Sequence, residues 1–313
     1  MKTGKKITIA LLSGGTSSER KVSLNSGKQV LEALDKTRYN VFRYDPKTDM
    51  ARILADAPRI DFALVILHGT NGEDGTVQGF LDLLNIPYQC AGPLGSSVAM
   101  NKLASKYLYE QSNIPVPAYL SFKRNETIDS DDCIRRLGLP LVVKPVSGGS
   151  SIGMTICRKS DDLSKAFVKA FEQDDTILLE EYISGTEITG GVIGNNRLQA
   201  LPIVEIVPKK NHDFFDYTAK YTAGETAEIC PAKINENLSK KAQQLAEKAH
   251  HALFCKGYSR TDMIIKKDEI YVLETNTIPG MTPESLFPLA ARTAGMAFGQ
   301  LLDRLIELGL EFS

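Results

Sequence analysis

Four side chains near the end of the chain are of the types that hold a hard cation and steady a developing negative charge: Arg260, Asp262, Glu274 and Asn276. Asp262 abuts the apolar run Met263-Ile264-Ile265, and Glu274 and Asn276 close another, Ile270-Tyr271-Val272-Leu273. Two strands joined by a turn at Lys266-Lys267-Asp268-Glu269 fit this pattern. Residues i and i+2 of a strand share a face, so Arg260 goes with Asp262, and Glu274 with Asn276. Whether the two pairs meet depends on the connection. An odd loop count or a bulge brings Asp262 to the face of Glu274, and an even two-residue turn sends it to the opposite one. Two carboxylates and an amide are hard oxygen donors suited to Mg²⁺, and burying the carboxylates without a counterion is costly. A surface hairpin with salt bridges would explain either carboxylate alone. It does not explain the set together with Arg260 and the following Pro279-Gly280.

A second constellation lies upstream. No GxxxxGK[ST] motif occurs; instead Lys144 ends the strand LVVK ahead of Gly148-Gly149-Ser150-Ser151-Ile152-Gly153. Backbone N–H groups of such a loop can cradle phosphate oxygens, and a lysine at the strand end adds a point charge. Plain Gly-Ser connections look the same, so the loop is a weak signal by itself. Further on stand Glu180-Glu181-Tyr182-Ile183 and then Glu187. A polar-edged strand there could receive an adenine, and a later carboxylate could take ribose hydroxyls.

These residues need strands and helices to place them. From residue 7 to about 95, ITIALL, YNVFRYD and FALVILHG read as strands, and VSLNSGKQVLEALD and TVQGFLDLLN as helices. That is a βαβ pattern with a parallel sheet, and its glycine turns, Gly14-Gly15 and His68-Gly69, are candidate binding loops at strand ends. AGPLGSSVAMNKLASK reads as a helix beyond a boundary near 95. LPLVVKP and TILLEEYI bracket the Gly-Ser loop, and from about 185 come further strands, a polar loop at 208–226 and the helix NLSKKAQQLAEKAHHAL. The expected units are 1–95, 96–184 and 185–313.

The 313 residues are 42% hydrophobic and 24% charged, with 37 basic and 38 acidic side chains and a net charge of −1. Such a balance argues against nucleic acid as a partner. Five widely spaced cysteines without a CxxC pair read as apolar fillers in a reducing compartment. The apolar start Ile7–Leu12 is too short for a signal peptide, and no run reaches transmembrane length, so a cytoplasmic protein without membrane contact is expected.

Taken together, GGTSSERKVSLNSG, LHGTNGEDGTVQGFLDLLNIPY, KPVSGGSSIGM, DYTAKYTAGET and RTDMIIKKDEIYVLETNTIPGMTPESLFPLAARTAGM resemble the D-alanine–D-alanine ligase family of ATP-grasp enzymes over nearly the whole chain. The resemblance implies an α/β fold of ATP-grasp architecture with an N-terminal, Rossmann-like parallel-sheet domain. It implies that ATP phosphorylates the carboxylate of one D-alanine and that the amine of a second attacks the acyl phosphate, supplying a peptidoglycan precursor. Its metal ligands, for Mg²⁺ or Mn²⁺, fall on Asp262, Glu274 and Asn276. Arg260 and the backbone N–H of Gly280 match the groups that stabilise the tetrahedral intermediate. Glu19 matches the carboxylate that orients the first ammonium, with Ser150 and Tyr221 completing its hydrogen-bonded triad; by its chemistry alone Glu19 reads rather as charge compensation at a helix start. Ser285 and Leu286 match the site of the second carboxylate, and His68 a histidine near the first substrate. Lys102, Lys144 and Lys220 match phosphate-binding lysines beside Ser151 of the loop, and Glu180, Ile183 and Glu187 the adenine and ribose contacts. A homodimer through TVQGFLDLLN is implied as well.

The chain departs from the family pattern at VSGG before Ser150, at Lys21, and at Gly190-Gly191, where a usual Val is missing and a looser strand is expected. Joining D-alanine to D-lactate or D-serine is the alternative activity, and Tyr221, often Phe in depsipeptide formers, favours D-alanine. A non-catalytic regulator would have no need to keep Arg260 and all three metal ligands.

Overall fold

The computed structural model describes residues 6–208 and 226–311. The first three strands, β1 (Ile7–Ser13), β2 (Tyr39–Tyr44) and β3 (Phe62–Ile66), are parallel in the order β2-β1-β3. β3 and the C-terminal part of β1 are buried without alternation, as expected of parallel strands covered on both faces. The covering helices include α1 (Arg20–Ala33), α2 (Met50–Asp56) and α3 (Thr76–Leu83).

Helix α4 (Pro93–Met100) leads into α5 (Lys102–Gln111). The sequence reads as one helix here; the structure breaks it at Asn101, which is extended (φ −94°, ψ 100°) and bridges to Ser147. Its side chain caps the new helix by accepting from the Ala104 N–H at 2.9 Å. The break sets Lys102 at the start of α5, against the Gly-Ser loop.

Among the described residues the remaining strands form two antiparallel sheets. One has the order β4-β7-β5-β6, from β4 (Tyr119–Lys123), β5 (Leu141–Pro145), β6 (Thr155–Cys157) and β7 (Thr176–Glu181). Helices α6 (Ser130–Leu137) and α7 (Leu163–Phe171) close its core through Cys133, Leu163, Phe167 and Ala170. The other has the order β11-β10-β8-β12-β13 with β9 on β8. Its strands are β8 (Thr186–Gly194), β9 (Leu198–Ala200), β10 (Val204–Pro208), β11 (Thr226–Ile229), β12 (Tyr258–Lys266) and β13 (Glu269–Asn276).

Helix α8 (Glu236–Ala252) packs on this sheet, α9 (Leu286–Thr293) follows the hairpin, and α10 (Phe298–Leu310) returns to the parallel sheet, burying Leu301, Leu302 and Leu305 in its core. The Gly190-Gly191 pair does not loosen β8. A Cβ on Gly190 would lie 3.0 Å from Ala246 of α8, and one on Gly191 3.1 Å from the Phe287 ring, so the missing side chains let both faces close on the strand. The five cysteines are free thiols.

Candidate active site

The β12–β13 turn holds two residues, Lys267 and Asp268, between the paired Lys266 and Glu269. In that register Asp262 would face Leu273 and the two acidic groups would lie on opposite faces. The register instead shifts between Asp262 and Met263, leaving Leu273 bulged, and Asp262 pairs with Glu274 while Arg260 pairs with Asn276. The bulge therefore brings all four side chains to one face. Arg260 grips Asp262 bidentately, Nε to Oδ1 at 2.9 Å and a terminal nitrogen to Oδ2 at 2.8 Å. Asn276 Nδ2 donates to Oδ2 at 3.1 Å, and Thr189 Oγ1 of β8 to Oδ1 at 2.7 Å. On the reverse face Thr261 and Thr275 are linked at 2.9 Å, and Tyr109 of α5 donates to Thr275 at 2.7 Å. The helix that begins with Lys102 thus docks on the back of the hairpin.

Among the described residues no group of three His, Cys, Asp or Glu could hold a metal. The third oxygen on the hairpin comes from an amide, a donor set of two carboxylates and one amide that fits a hard divalent cation keeping several waters.

An open cleft runs from this face to the four-stranded sheet, lined by Asp262 and Glu274 at one end. Six residues expected at a nucleotide line it: Lys102, Lys144, Ser151, Glu180, Ile183 and Glu187. Lys102 donates to the Gly148 carbonyl and lies 3.9 Å from Glu274. Ser150 and Ser151 both hold left-handed backbone (φ 53° and 57°), where side-chain-bearing residues are strained; such strain is typical of a loop shaped for a ligand. Lys144 Nζ lies 2.8 Å from Glu180 Oε2, and Lys106 Nζ 3.0 Å from Oε1. Burial would raise the Glu180 pKa, but the two ammoniums outweigh it and hold the carboxyl below its ordinary value.

Beyond the Gly-Ser loop lies a buried corner. Ser150 Oγ donates to Glu19 Oε1, a contact between residues 131 apart in sequence. Glu19 stands at the N-cap position of α1, where its charge complements the helix start, but its side chain makes no capping hydrogen bond and instead accepts from Ser150. The β1–α1 loop is fixed by Arg20 paired with Asp45 at 2.5 Å and by Ser17 Oγ donating to the His68 carbonyl at 2.6 Å. His68 is buried beside Glu73 (3.9 Å), and its Nε2 has no hydrogen-bond partner among the described residues. Burial would lower its pKa; Glu73 and then Glu19 reverse this, and the net direction is up. After the hairpin, Gly280 and Ser285 approach each other closely: a Cβ on Gly280 would sit 3.0 Å from Ser285 Oγ. Ser285 Oγ accepts from the Thr282 N–H at 3.1 Å, and Leu286 opens α9.

Of the expected residues, Lys102, Lys144, Ser151, Glu180, Ile183, Glu187, Asp262 and Glu274 line the cleft, Arg260 and Asn276 bond to Asp262, and Glu19 meets Ser150. His68, Gly280, Ser285 and Leu286 are not among the residues that line it, and Lys220 and Tyr221 lie outside the described residues. Reading the sequence missed Lys106. In NKLASK it stands one helical turn beyond Lys102 on the same face, a spacing that does not by itself tell a buried lysine from a solvated one.

A parallel α/β sheet, two antiparallel sheets with a lysine-lined cleft between them, and an oxygen-rich hairpin define an ATP-grasp enzyme. Comparison with known proteins narrows this. Residues 45–91 match the family model described as the D-ala D-ala ligase N-terminus, and residues 108–307 the one described as the C-terminus. The D-alanine–D-alanine ligase of Syntrophobacter fumaroxidans is 58% identical over 98% of both chains. That of Desulfotalea psychrophila is 50% identical over 98% of this chain and 96% of its own. The crystal structure of the Bacillus anthracis enzyme complexed with ATP is 35% identical, with a TM-score of 0.85 over 98% of both chains. A D-Ala:D-Ser ligase from Enterococcus faecalis is 30% identical, with a TM-score of 0.82 over 97% of this chain and all of its own. The chain belongs to the D-alanine–D-alanine ligase family.

Proposed function

We infer that the protein joins two D-alanines to D-alanyl-D-alanine at the expense of ATP, through a D-alanyl phosphate. The observation that carries this reading is the one-faced set Arg260, Asp262, Glu274 and Asn276 at the end of a lysine-lined cleft. A carboxylate is a poor electrophile, and phosphorylation gives it a leaving group; what remains is positioning and charge stabilisation.

In this reading Lys102, Lys144 and the loop at Ser151 take the phosphates, Glu180 and Ile183 the adenine, and Glu187 the ribose. Glu19, held by Ser150, orients the ammonium of the first D-alanine, with His68 beside it. Arg260 and the Gly280 N–H face the oxyanion that forms when the second amine attacks, and Ser285 and Leu286 receive the second carboxylate. Lys220 and Tyr221 are proposed as a further phosphate lysine and the third member of the Glu19–Ser150 set. Asp262, Glu274 and Asn276 would hold Mg²⁺, which Mn²⁺ can replace; when bound it supplies positive charge against the phosphates.

We further propose functional units of 1–95, 96–184 and 185–313, a homodimer, and a cytoplasmic role in peptidoglycan precursor synthesis and so in cell shape. In support of that setting, among the described residues no helix is long and apolar enough to cross a membrane, and the cysteines are free.

The test is ADP release from Mg²⁺–ATP with D-alanine, with L-alanine, and with D-alanine plus D-lactate or D-serine, the products identified by mass. ADP and D-alanyl-D-alanine are expected with D-alanine and not with L-alanine. A predominant mixed product with D-lactate or D-serine would overturn the specificity, and no turnover with any D-amino acid would overturn the ligase reading.

A further inference from the structure

Glu180 is met by two lysines, one on each oxygen, and their surroundings differ. Lys106 has 1% of its surface exposed, is 3.0 Å from Oε1, donates to the Pro117 carbonyl at 3.2 Å and lies 4.9 Å from the centre of the Tyr119 ring. Lys144 is 2.8 Å from Oε2 and fronts the cleft. Lys106 is sealed behind the wall by three partners, whereas Lys144 has open space ahead of it.

We propose that Lys106 is a positioning residue: it remains the permanent counterion of Glu180, so that Lys144 can leave that carboxylate for a nucleotide phosphate. The inference rests on the reading of Lys144 as a phosphate contact. A buried carboxylate that loses its only cation is strongly destabilised. With Lys106 present, Lys144 can turn away and leave Glu180 paired. Without it, Lys144 is the sole counterion, and each nucleotide must compete with Glu180 for its ammonium. The placement of Lys106 one turn beyond Lys102 on α5 couples the two: one helix face carries the lysine of the Gly-Ser loop and the lysine behind Glu180.

Binding of ATP and of ADP with Mg²⁺ to the full chain, followed by calorimetry, tests this in four proteins: wild type, Lys106→Met, Glu180→Gln and the double variant. Lys106→Met is expected to weaken ATP binding by about tenfold or more, as loss of one partner of a buried charge pair does, while the KM for D-alanine stays within about twofold because that site is built from other residues. In the Glu180→Gln background, where no buried charge is left to neutralise, the same change is expected to cost less than about threefold. If Lys106→Met alone does not fold, the comparison of the double variant with Glu180→Gln still decides: near-equal affinity supports the proposal, and a tenfold loss between them overturns it. Equal losses in both backgrounds would mark Lys106 as a packing element and overturn it too. Wild-type binding with unaltered affinity in Lys106→Met overturns this inference alone; no nucleotide binding by the wild type overturns the ligase reading with it.

Discussion

The β12–β13 hairpin and the Glu19–Ser150 corner both put carboxylates out of water, and they do so by opposite routes. On the hairpin the partners are close in sequence, and strand alternation plus one bulge sets their faces. At the corner the partners are 131 residues apart, and only the docking of the Gly-Ser loop against the β1–α1 loop joins them. The hairpin's geometry is thus a matter of register, and the corner's a matter of how separate sheets meet. Changes to register should act all or none, and changes at the corner should be graded.

Deleting Thr275 is the severest way to break the comparison. Asp262 would still face Glu274 across the bulge at Leu273, but Asn276 would fall opposite Thr261 and turn to the other face, with every later residue displaced by one position. The expected outcome is loss of ligation by about a thousandfold or more, since the charge-stabilising array is dispersed, together with loss of Mg²⁺-dependent ATP binding by calorimetry. Deleting Leu273 instead removes only the bulge and leaves Asp262 opposite Glu274, so that variant is expected to keep activity; a Thr275 deletion that is folded by circular dichroism and equally active would show that register does not place the site.

Arg260→Ala should come next. It removes the bidentate partner of Asp262 and the proposed oxyanion donor while leaving the register intact. A fall in kcat of about 10² to 10³ is expected from losing one such donor, with the KM for ATP altered much less in steady-state kinetics.

Ser150→Ala sharpens the other side. It takes away a hydrogen bond to a buried carboxylate, worth roughly 1.5 to 3 kcal/mol, so the KM of the first D-alanine should rise about 10- to 100-fold. Equal effects on the first and second D-alanine sites, resolved by initial-rate kinetics, would contradict the assignment of Glu19 to the first.

The smallest effect lies behind the hairpin, on the fold rather than the site. His250 of α8 is 2.8 Å from Ser259 of β12, and burial, then His251, pushes its pKa down to about 4. The unfolded chain, with a histidine near 6.5, binds the extra proton first. This contribution to stability is therefore complete above about pH 6.5 and is lost as pH falls towards 4. At most it amounts to roughly 3 kcal/mol from the size of the shift. His250→Gln should flatten the acid limb of stability measured by urea unfolding between pH 7 and 4.5; an unchanged slope would mean that His250 does not titrate with folding.

The same contrast explains what could be read beforehand. The parallel sheet was legible because ITIALL and FALVILHG are continuous apolar runs, as strands buried on both faces must be. The hairpin was legible as a set of charges where a strand should be apolar, but not its bulge, because leaving Leu273 unpaired in the cleft wall is decided by packing and not by local pattern. Glu19 and Ser150 came together only through the family resemblance, since residue chemistry carries no signal across 131 positions. Lys106 went unread because a lysine inside a helical pattern ordinarily points to water, and nothing local shows that Glu180 waits behind the wall. The Asn101 break was hidden by good helical residues on both sides; the bridge to Ser147 comes from another part of the chain.

In the proposed reaction the cleft phosphorylates one D-alanine carboxylate, and the amine of a second D-alanine displaces the phosphate. Ligation with D-alanine labelled with ¹⁸O in its carboxylate tests this most directly, with the released phosphate analysed by mass spectrometry. An acyl phosphate places one carboxylate oxygen in the bridge to phosphorus, and attack of the amine at carbon expels it with the phosphate. The account predicts one ¹⁸O in each phosphate released; unlabelled phosphate accompanying dipeptide formation would contradict it.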